Sequence, residues 1–322
     1  IMRNRYLLIL SILLVHFVST ICSQAQTQDD SKAGGTPALP GRTSARQREN
    51  PVEFGVCYHH KEEYNPSSAA VLDDLRKSGS FWIRCDFHAP AIDTRFSKDM
   101  QKKGIKVLAL LYWYKKSPRG WKEYVQKEVN AAPDVPAWEI LNEPEMAWWG
   151  GPISATDCIQ MIKDAHKIIK TKNPNALIIG PAVGSTAEGI KYLKTLIDLR
   201  LLDYVDGISA HYYIFHKNTD LAGIEKVIAG RKPIWITETG WTTADQAGGD
   251  AAQVKYIQEY YDRKKGKLAS DPSVDVIFNY ELNDDHFPLQ KGKDDGWGLT
   301  HGAPGKFARK PSYETFKSLL KQ

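Results

Sequence analysis

Residues 138–145 read Trp-Glu-Ile-Leu-Asn-Glu-Pro-Glu, an apolar run that ends in a polar tripeptide around Glu143. Residues 234–241 read Ile-Trp-Ile-Thr-Glu-Thr-Gly-Trp, a second apolar run that ends in a glutamate, Glu238. Short runs rich in Ile and aromatic residues are typical of strands that are buried on both faces. The two stretches therefore predict two core strands, each with a carboxylate at its carboxyl end.

The same pattern recurs eight times, and each predicted strand is followed by a segment with helical spacing of apolar residues. The strands are predicted at residues 52–58, 81–87, 105–113, 137–142, 176–183, 207–213, 233–237 and 274–280. Eight such units predict a single (β/α)8 TIM barrel, with residues 51–322 as the catalytic domain. The alternative is an open doubly wound sheet, which usually carries a glycine-rich turn after its first strand; this chain has Tyr58-His59-His60 there.

The amino-terminal segment has the features of a signal peptide. Two arginines precede an apolar run over residues 6–18, and Ser23 and Ala25 suit the −3 and −1 positions of a cleavage site. We expect residues 1–25 to be a signal peptide and the protein to be secreted or periplasmic. The apolar run is too short for a confident membrane span, so no stable membrane insertion is expected after cleavage.

Residues 26–50 are polar, contain Gly and Pro, and show no periodicity, which predicts a flexible linker. Lys and Arg number 43 against 38 Asp and Glu, a weak excess of +5. No basic stripe interleaved with aromatic residues accompanies it, so nucleic acid is not an expected partner. We expect a monomer.

Three cysteines follow the predicted signal peptide: Cys57, Cys85 and Cys158. An odd number forms no disulfide framework, and no Cys-x-x-Cys metal spacing is present. Buried free thiols are favoured, and a bridge between Cys57 and Cys85 stays open. The adjacent histidines His59-His60 point to opposite faces of a strand, which disfavours a metal site, so no metal is expected.

Polar and aromatic side chains cluster at the carboxyl ends of the predicted strands. They are Arg84, Asn142, Glu143, His211, Tyr213, Glu238 and Tyr280. Active sites of TIM barrels lie at this face. Strands four and seven face each other across the barrel mouth, so the two glutamates can converge as the pair of carboxyl groups that glycoside hydrolysis requires.

Strict alternation along the fourth strand raises one conflict. It places Glu139 and Glu143 on the same face, toward the barrel interior, unless a bulge near Asn142 intervenes. Glu145 and Glu281 are further carboxylates, predicted as rim or substrate-contact residues rather than catalysts.

At these residues the sequence resembles the clan A glycoside hydrolases, retaining barrels with glutamates on strands four and seven. Residues 142–144, Asn-Glu-Pro, are similar to their acid/base motif, and residues 237–241, Thr-Glu-Thr-Gly-Trp, to their nucleophile motif. The resemblance implies a retaining β-glycosidase that acts by double displacement, with Glu143 as acid/base and Glu238 as nucleophile. It implies a carbohydrate substrate and no cofactor.

The resemblance also implies roles for four neighbours. Asn142 would bond the sugar 2-hydroxyl, and Arg84 would hold Glu238 ionised. Tyr213 would donate a hydrogen bond to Glu238, and His211 would line the floor of the site. Many members carry a tryptophan at the end of strand eight, where this chain has Tyr280.

Aromatic rings suit sugars because the C–H faces of a sugar stack on them. The tryptophans predicted in or beside the loops of this face are Trp113, Trp148, Trp149, Trp241 and Trp297. Ordinary packing is the alternative for each of them. Trp148-Trp149 is the favoured subsite, and Trp297 is an alternative to Tyr280 beneath the sugar.

Two other functions remain open. A catalytically silent sugar-binding barrel would keep the aromatic residues, and a transglycosylase would share the first half of the reaction. The pattern does not separate glucan, mannan, xylan and galactan as substrates.

Overall fold

The computed structural model describes most of the predicted catalytic domain. The described residues are 50–59, 64–113, 118–146, 152–214, 219–244, 247–284, 296–301 and 307–322. The predicted signal peptide and nearly all of the predicted linker lie outside these ranges, as do Trp148 and Trp149.

Eight parallel strands form a closed barrel in chain order, and the eighth strand pairs with the first. The strands are β1 Glu53–Cys57, β2 Phe81–Asp86, β3 Lys106–Leu111, β4 Ala137–Ile140, β5 Leu177–Gly184, β6 Gly207–His211, β7 Ile234–Thr239 and β8 Val274–Asn279. The prediction of a single (β/α)8 barrel is confirmed, and the open sheet is excluded.

Among the described residues, eight α-helices surround the barrel, one after each strand. They are α1 Pro66–Ser78, α2 Pro90–Lys102, α3 Trp121–Ala131, α4 Ala155–Lys172, α5 Ala187–Asp198, α6 Leu221–Ile228, α7 Gly249–Tyr261 and α8 Pro311–Leu320. Asn65 caps α1 by accepting from the backbone of Ser67 and Ser68, and Ser154 caps α4 in the same way. None of the described helices combines the length and the apolar character that a membrane crossing requires.

One small element was not predicted. Strand β9 (Thr300–His301) pairs antiparallel with β10 (Ala308–Arg309), between β8 and α8. Two-residue strands carry too little alternation to be recognised in a sequence.

The barrel interior is apolar toward the amino-terminal ends of β2 and β7. The rings of Trp82 and Trp235 meet edge to face with centroids 5.1 Å apart, and Phe278 stacks on Trp235 at 6.5 Å. A Cβ atom on Gly55 would lie 2.7 Å from the Phe278 ring, so β1 needs a glycine at this level. Large rings thus fill the base of the barrel, as a packed TIM-barrel core requires.

A polar layer lies above these rings. Ser209 Oγ donates to Glu139 Oε1 at 2.5 Å and also lies 2.5 Å from Thr237 Oγ1. Cys57 Sγ donates to the Thr237 carbonyl at 3.3 Å. All four residues are buried, so the hydrogen bonds of this layer are shielded from water and form a rigid platform beneath the barrel mouth.

Two strands leave regular alternation just before the glutamates. After β4, Leu141 and Glu143 adopt left-handed backbone, with φ of 67° and 43°, which is uncommon for residues other than glycine. The pairing of β7 with β6 and with β8 shifts in register next to Glu238, so the consecutive side chains of Thr237 and Glu238 both make interior contacts. These irregularities turn the two carboxylates toward the mouth.

Candidate active site

The guanidinium of Arg84 joins three side chains at the base of the mouth. Its Nε donates to Glu139 at 2.5 Å, Nη1 to Glu238 at 2.6 Å and Nη2 to Asn142 at 2.7 Å. Burial lowers the pKa of Arg84, but the charges of Glu139 and Glu238 outweigh it and raise the pKa well above its usual value. Arg84 is therefore a permanent cation that fixes residues from both β4 and β7.

Glu139 is the interior partner to which the sequence assigned no role. It is 0% exposed, and Arg84 and Ser209 each bond one of its oxygens. Removing one partner of such a buried pair leaves an unpaired charge. Its position could be predicted from the sequence, because alternation along β4 places Glu139 in the interior. The turn after Ile140 then brings Glu143 to the mouth.

Glu238 lies among hydrogen-bond donors. Arg84 bonds Oε1, and the Tyr213 hydroxyl donates to Oε2 at 2.9 Å. Burial and the charge of Glu238 raise the pKa of Tyr213 well above its usual value, so the phenol keeps its proton. Glu238 thus has two donors that do not change charge near neutral pH.

Glu143 contacts a histidine instead. His211 Nδ1 lies 2.9 Å from Glu143 Oε1 and 3.5 Å from Glu238 Oε2. Burial lowers the pKa of His211, but the charge of Glu238 and the hydrogen bond to Glu143 outweigh it, so the pKa is raised. The ring is 1% exposed, which fixes its position between the two carboxylates.

The shared histidine atom limits the separation of the carboxylates. Both distances start at His211 Nδ1, so Glu143 Oε1 and Glu238 Oε2 lie no farther apart than the sum of 2.9 and 3.5 Å, about 6.4 Å. The structure therefore brings the two predicted glutamates together across the mouth, with Arg84, Asn142, His211 and Tyr213 around them.

Three aromatic side chains stand beside Glu238. The Tyr213 and Trp297 centroids are 5.6 Å apart, those of Tyr280 and Trp297 6.3 Å, and those of Tyr213 and Tyr280 6.4 Å. All three pairs are edge to face, and all three side chains are partly exposed. They form an apolar wall at the mouth, to which both Tyr280 and Trp297 contribute.

The sequence profile of the glycosyl hydrolase catalytic core family matches residues 97–281, more than half of the chain. The chain belongs to this family. The stretches around Glu143 and Glu238 both lie inside the matched region, and the resemblance to TIM-barrel glycoside hydrolases is confirmed at the level of family and fold. A comparison with curated proteins finds no matching sequence.

Solved structures of several glycosidases share the fold of this glycoside hydrolase. A GH39 β-xylosidase from Caulobacter crescentus aligns with a TM-score of 0.61 and 17% identity over 86% of this chain and 72% of its own. A glucosidase from Croceicoccus marinus gives 0.60 and 12% over 85% and 68%. A GH39 enzyme from Xanthomonas axonopodis pv. citri gives 0.59 and 15% over 85% and 67%. At these identities the similarity establishes the fold.

Two tryptophans that the sequence placed on the substrate side of this glycoside hydrolase are engaged in packing. Trp113 is 8% exposed, and its ring lies 5.5 Å from Trp121 and 5.4 Å from Tyr124. Its packing against α3 favours the packing alternative, and its contact with substrate stays a prediction. Trp241 stacks on Tyr256 at 6.0 Å and is partly exposed, so its contact with substrate stays a prediction.

The two further carboxylates are held in place rather than exposed to solvent. Glu281 is 1% exposed, and its Oε2 lies 3.1 Å from His59 Nε2. Glu145 Oε1 accepts the backbone N–H of Gly184 at 2.6 Å. Glu281 is therefore not a solvated rim residue.

In the part of the chain that the structure describes, no group of three or more His, Cys, Asp and Glu side chains could hold a metal ion. Cys57, Cys85 and Cys158 are free and buried, which confirms the favoured expectation and excludes the Cys57–Cys85 bridge.

Proposed function

We propose that this glycoside hydrolase is a retaining β-glycosidase that cleaves O-glycosidic bonds of a poly- or oligosaccharide by double displacement. The observation that carries the proposal is the contact of one histidine atom, His211 Nδ1, with both Glu143 and Glu238. With two of their oxygens no more than about 6.4 Å apart, the carboxyl groups are close enough to fit the ~5–5.5 Å separation of retaining enzymes, in which the second carboxylate acts as nucleophile.

The surroundings of the carboxylates favour Glu238 as the nucleophile. A carboxylate that accepts strong hydrogen bonds and faces a cation is stabilised in its ionised form. Glu238 has both, from Tyr213 and Arg84. Attack on the anomeric carbon requires such a charge.

Glu143 then acts as the acid/base. In the first step it donates its proton to the glycosidic oxygen while Glu238 attacks the anomeric carbon; the C–O bond to the leaving group breaks and a glycosyl-enzyme ester forms. In the second step Glu143 takes a proton from water as that water attacks the same carbon, and Glu238 is released. The two inversions at the anomeric carbon give net retention.

Asn142 and the aromatic wall place the sugar. Arg84 binds Asn142 Oδ1, which leaves the amide Nδ2 to donate to the sugar 2-hydroxyl. Tyr280 and Trp297 offer ring surface to its C–H groups. Trp148 and Trp149 lie outside the described residues, and we propose them for the leaving-group side because they follow Glu143 closely in the chain.

The decisive experiment is azide rescue of two alanine variants on 2,4-dinitrophenyl β-glycosides. We expect Glu143→Ala to form a β-glycosyl azide and Glu238→Ala an α-glycosyl azide, because azide replaces the water in the first case and the nucleophile in the second. Glu259→Ala, on the outer helix α7, is the matched control and should keep wild-type activity. Full activity of either active-site variant on the natural substrate would refute the assignment, and reversed anomers would exchange the two roles.

The structural relatives guide the choice of substrate. Their names include a β-xylosidase and a glucosidase, so β-xylosides and β-glucosides, with xylan and β-glucan, are the first probes. Chromatography of the products separates hydrolysis from transglycosylation, since only the latter makes longer oligosaccharides. Failure on every β-linked probe, together with turnover of an α-linked one, would overturn the proposed linkage.

We also propose that the protein is secreted. The support is the basic segment, the apolar run over residues 6–18 and the small residues Ser23 and Ala25. Mass spectrometry of exported protein should find a mature amino-terminus after Ala25. Retention of residues 1–25 in the cell would contradict this.

A further inference from the structure

The side-chain amide of Gln253 lies against the chain that carries Trp297. Gln253 belongs to the outer helix α7 and is 1% exposed. Its Nε2 lies 2.7 Å from the carbonyl oxygen of Trp241 and 3.1 Å from that of Trp297. The carbonyl oxygens of Gly296 and Gly298 are both 3.3 Å away. One buried amide group thus connects the loop after β7 with the chain after β8.

The orientation of this amide is fixed from α8. Ser312 Oγ donates to Gln253 Oε1 at 2.6 Å, and Ser312 is fully buried. A glutamine amide has one acceptor oxygen and one NH2 group with two donors. Because the oxygen accepts from Ser312, the NH2 group is the part that faces the carbonyl oxygens. A buried polar network whose members are all hydrogen-bonded is rigid.

A second buried side chain, that of Lys310, binds the same part of the chain. Lys310 directly precedes α8, and its Nζ donates to the Gly296 carbonyl oxygen at 3.2 Å and to Asp284 Oδ1 at 2.7 Å. Asp284 Oδ1 also accepts the backbone N–H of Gly298 at 2.6 Å. A buried ion pair therefore holds both glycines that flank Trp297.

The backbone around Trp297 also fits closely against the loop after β7. Gly296 has a φ of 74°, and a Cβ atom on it would lie 2.7 Å from Thr243 Oγ1. A Cβ atom on Gly240 would lie 3.5 Å from Trp297 Cε3, so the indole packs against the backbone just after β7. The chain on either side of Trp297 is fixed, and its ring remains partly exposed in the aromatic wall.

We propose that Gln253 is a positioning residue for substrate binding, which with Lys310 holds the indole of Trp297 in place for the sugar. The inference rests on the proposed function, in which Tyr280 and Trp297 contact the C–H groups of the sugar. A ring that is already in place binds more tightly, because ordering it during binding would cost free energy. The contacts of Gln253 described above reach the loop backbone and α8, so its effect on the substrate passes through Trp297.

The test is a double-mutant cycle of Gln253→Met and Trp297→Ala, measured as kcat/KM on the 2,4-dinitrophenyl β-glycoside that the wild type hydrolyses fastest. Methionine is close to glutamine in size and donates no hydrogen bond. Trp297→Ala should lower kcat/KM by roughly 10- to 30-fold, and Gln253→Met by about 5- to 10-fold. In the Trp297→Ala background, Gln253→Met should change kcat/KM by less than about twofold, because the ring that it positions is gone.

Gln258→Met is the matched control, since Gln258 lies on the same helix and is exposed. Its kcat/KM should stay within about twofold of the wild type. Equal losses from Gln253→Met in both backgrounds would show an effect that does not pass through Trp297 and would overturn the proposal. Wild-type activity of either single variant in the cycle would overturn it as well. If Gln253→Met does not fold, Ser312→Ala, which releases the amide oxygen, replaces it in the cycle with the same two outcomes.

A measurement without substrate follows the ring itself. In protein labelled with fluorinated tryptophan, the fluorine NMR signals of Trp297, Trp82 and Trp235 are identified by substitution of each residue by Phe. In Gln253→Met we expect the Trp297 signal to shift or broaden, while the signals of Trp82 and Trp235 at the base of the barrel keep their positions. An unchanged Trp297 signal would overturn the proposal. Equal shifts of all three signals would show a general loss of structure and overturn it too.

The proposed function and this inference fail separately. If the azide experiment refutes the roles of Glu143 and Glu238, the proposed function fails. If it supports them, while the losses in the cycle are additive or the Trp297 signal is unchanged, the positioning role of Gln253 fails alone.

Discussion

The two sides of the active site surround their carboxylates with different chemistry. On the β7 side, Glu238 accepts hydrogen bonds from Arg84 and Tyr213, whose pKa values both lie well above their ordinary range. On the β4 side, Glu143 lies beside His211, whose pKa is raised, and two residues before Glu145, whose pKa is raised to about 7. The first side has constant charge, and the second can exchange protons.

This difference matches what double displacement asks of each carboxylate. The proposed nucleophile needs a negative charge for attack, and hydrogen-bond donors of constant charge stabilise such a charge. The proposed acid/base must release a proton in one half-reaction and regain it in the next, and its neighbours can also exchange protons. The environment therefore separates the roles of two chemically identical side chains.

Arg84→Met is the substitution expected to disturb the difference between the two sides most. The change removes the cation from Glu238 and leaves Glu139 buried without its counter-ion. We expect the free energy of unfolding to fall by about 3–5 kcal/mol in chemical denaturation. We expect kcat/KM to fall by on the order of 10³-fold at every pH.

Arg309→Met is the matched control for Arg84. Its guanidinium is 42% exposed and pairs with Asp74 and Glu314, and exposed pairs contribute at most about 1 kcal/mol. Similar losses of stability and of kcat/KM in the two variants would mean that the interior ion pairs do not organise the β7 side.

A smaller effect is expected from Tyr213→Phe, which deletes one donor to Glu238 and keeps the ring in the aromatic wall. A hydrogen bond to a charged group contributes about 1.5–3 kcal/mol, so kcat/KM should fall by roughly 10- to 100-fold. The shape of the pH profile of kcat/KM should stay the same, because Tyr213 belongs to the β7 side, whose charge is constant.

The neighbouring Tyr212→Phe is the control for Tyr213. The Tyr212 ring lies 6.2 Å from Tyr260 of α7, away from the carboxylates, so its activity should remain within about twofold of the wild type. A shift of the basic limb of the kcat/KM profile in Tyr213→Phe would show that a group on the β7 side titrates, which would contradict the comparison.

The β7 side of the site could be predicted from the sequence. Arg84, Tyr213 and Glu238 end strands whose order follows from counting apolar runs, and residues at the carboxyl ends of barrel strands must converge. Both ends of each of the eight strands lie within two residues of the predicted ones. The strands can be recognised because parallel strands that are buried on both faces form continuous runs of apolar residues in the sequence.

The β4 side of the site, which can exchange protons, could be predicted only in part. The left-handed turn at Leu141 and Glu143 is a local departure from alternation that no residue type announces, since neither position is glycine. This turn brings Glu143 to the mouth, and Glu145 after it bonds back to β5. Trp113 was ambiguous for a related reason: a large ring near a strand end can pack under the next helix as readily as face the mouth.

The smallest expected effect concerns stability. Because the pKa of Glu145 rises from the ordinary 4.5 to about 7 on folding, its carboxyl favours the folded protein below pH 4.5, and this contribution is lost as the pH rises toward 7. Glu145→Gln lacks this dependence.

In denaturation series on the wild type and Glu145→Gln, the free energy of unfolding of the variant should therefore gain on that of the wild type by on the order of 1–2 kcal/mol across this interval. Tyr213→Phe, on the constant side, should show no such gain, because its phenol keeps its proton throughout. Parallel curves for Glu145→Gln and the wild type would mean that Glu145 does not titrate there, and the contrast between the two sides would then rest on His211 alone.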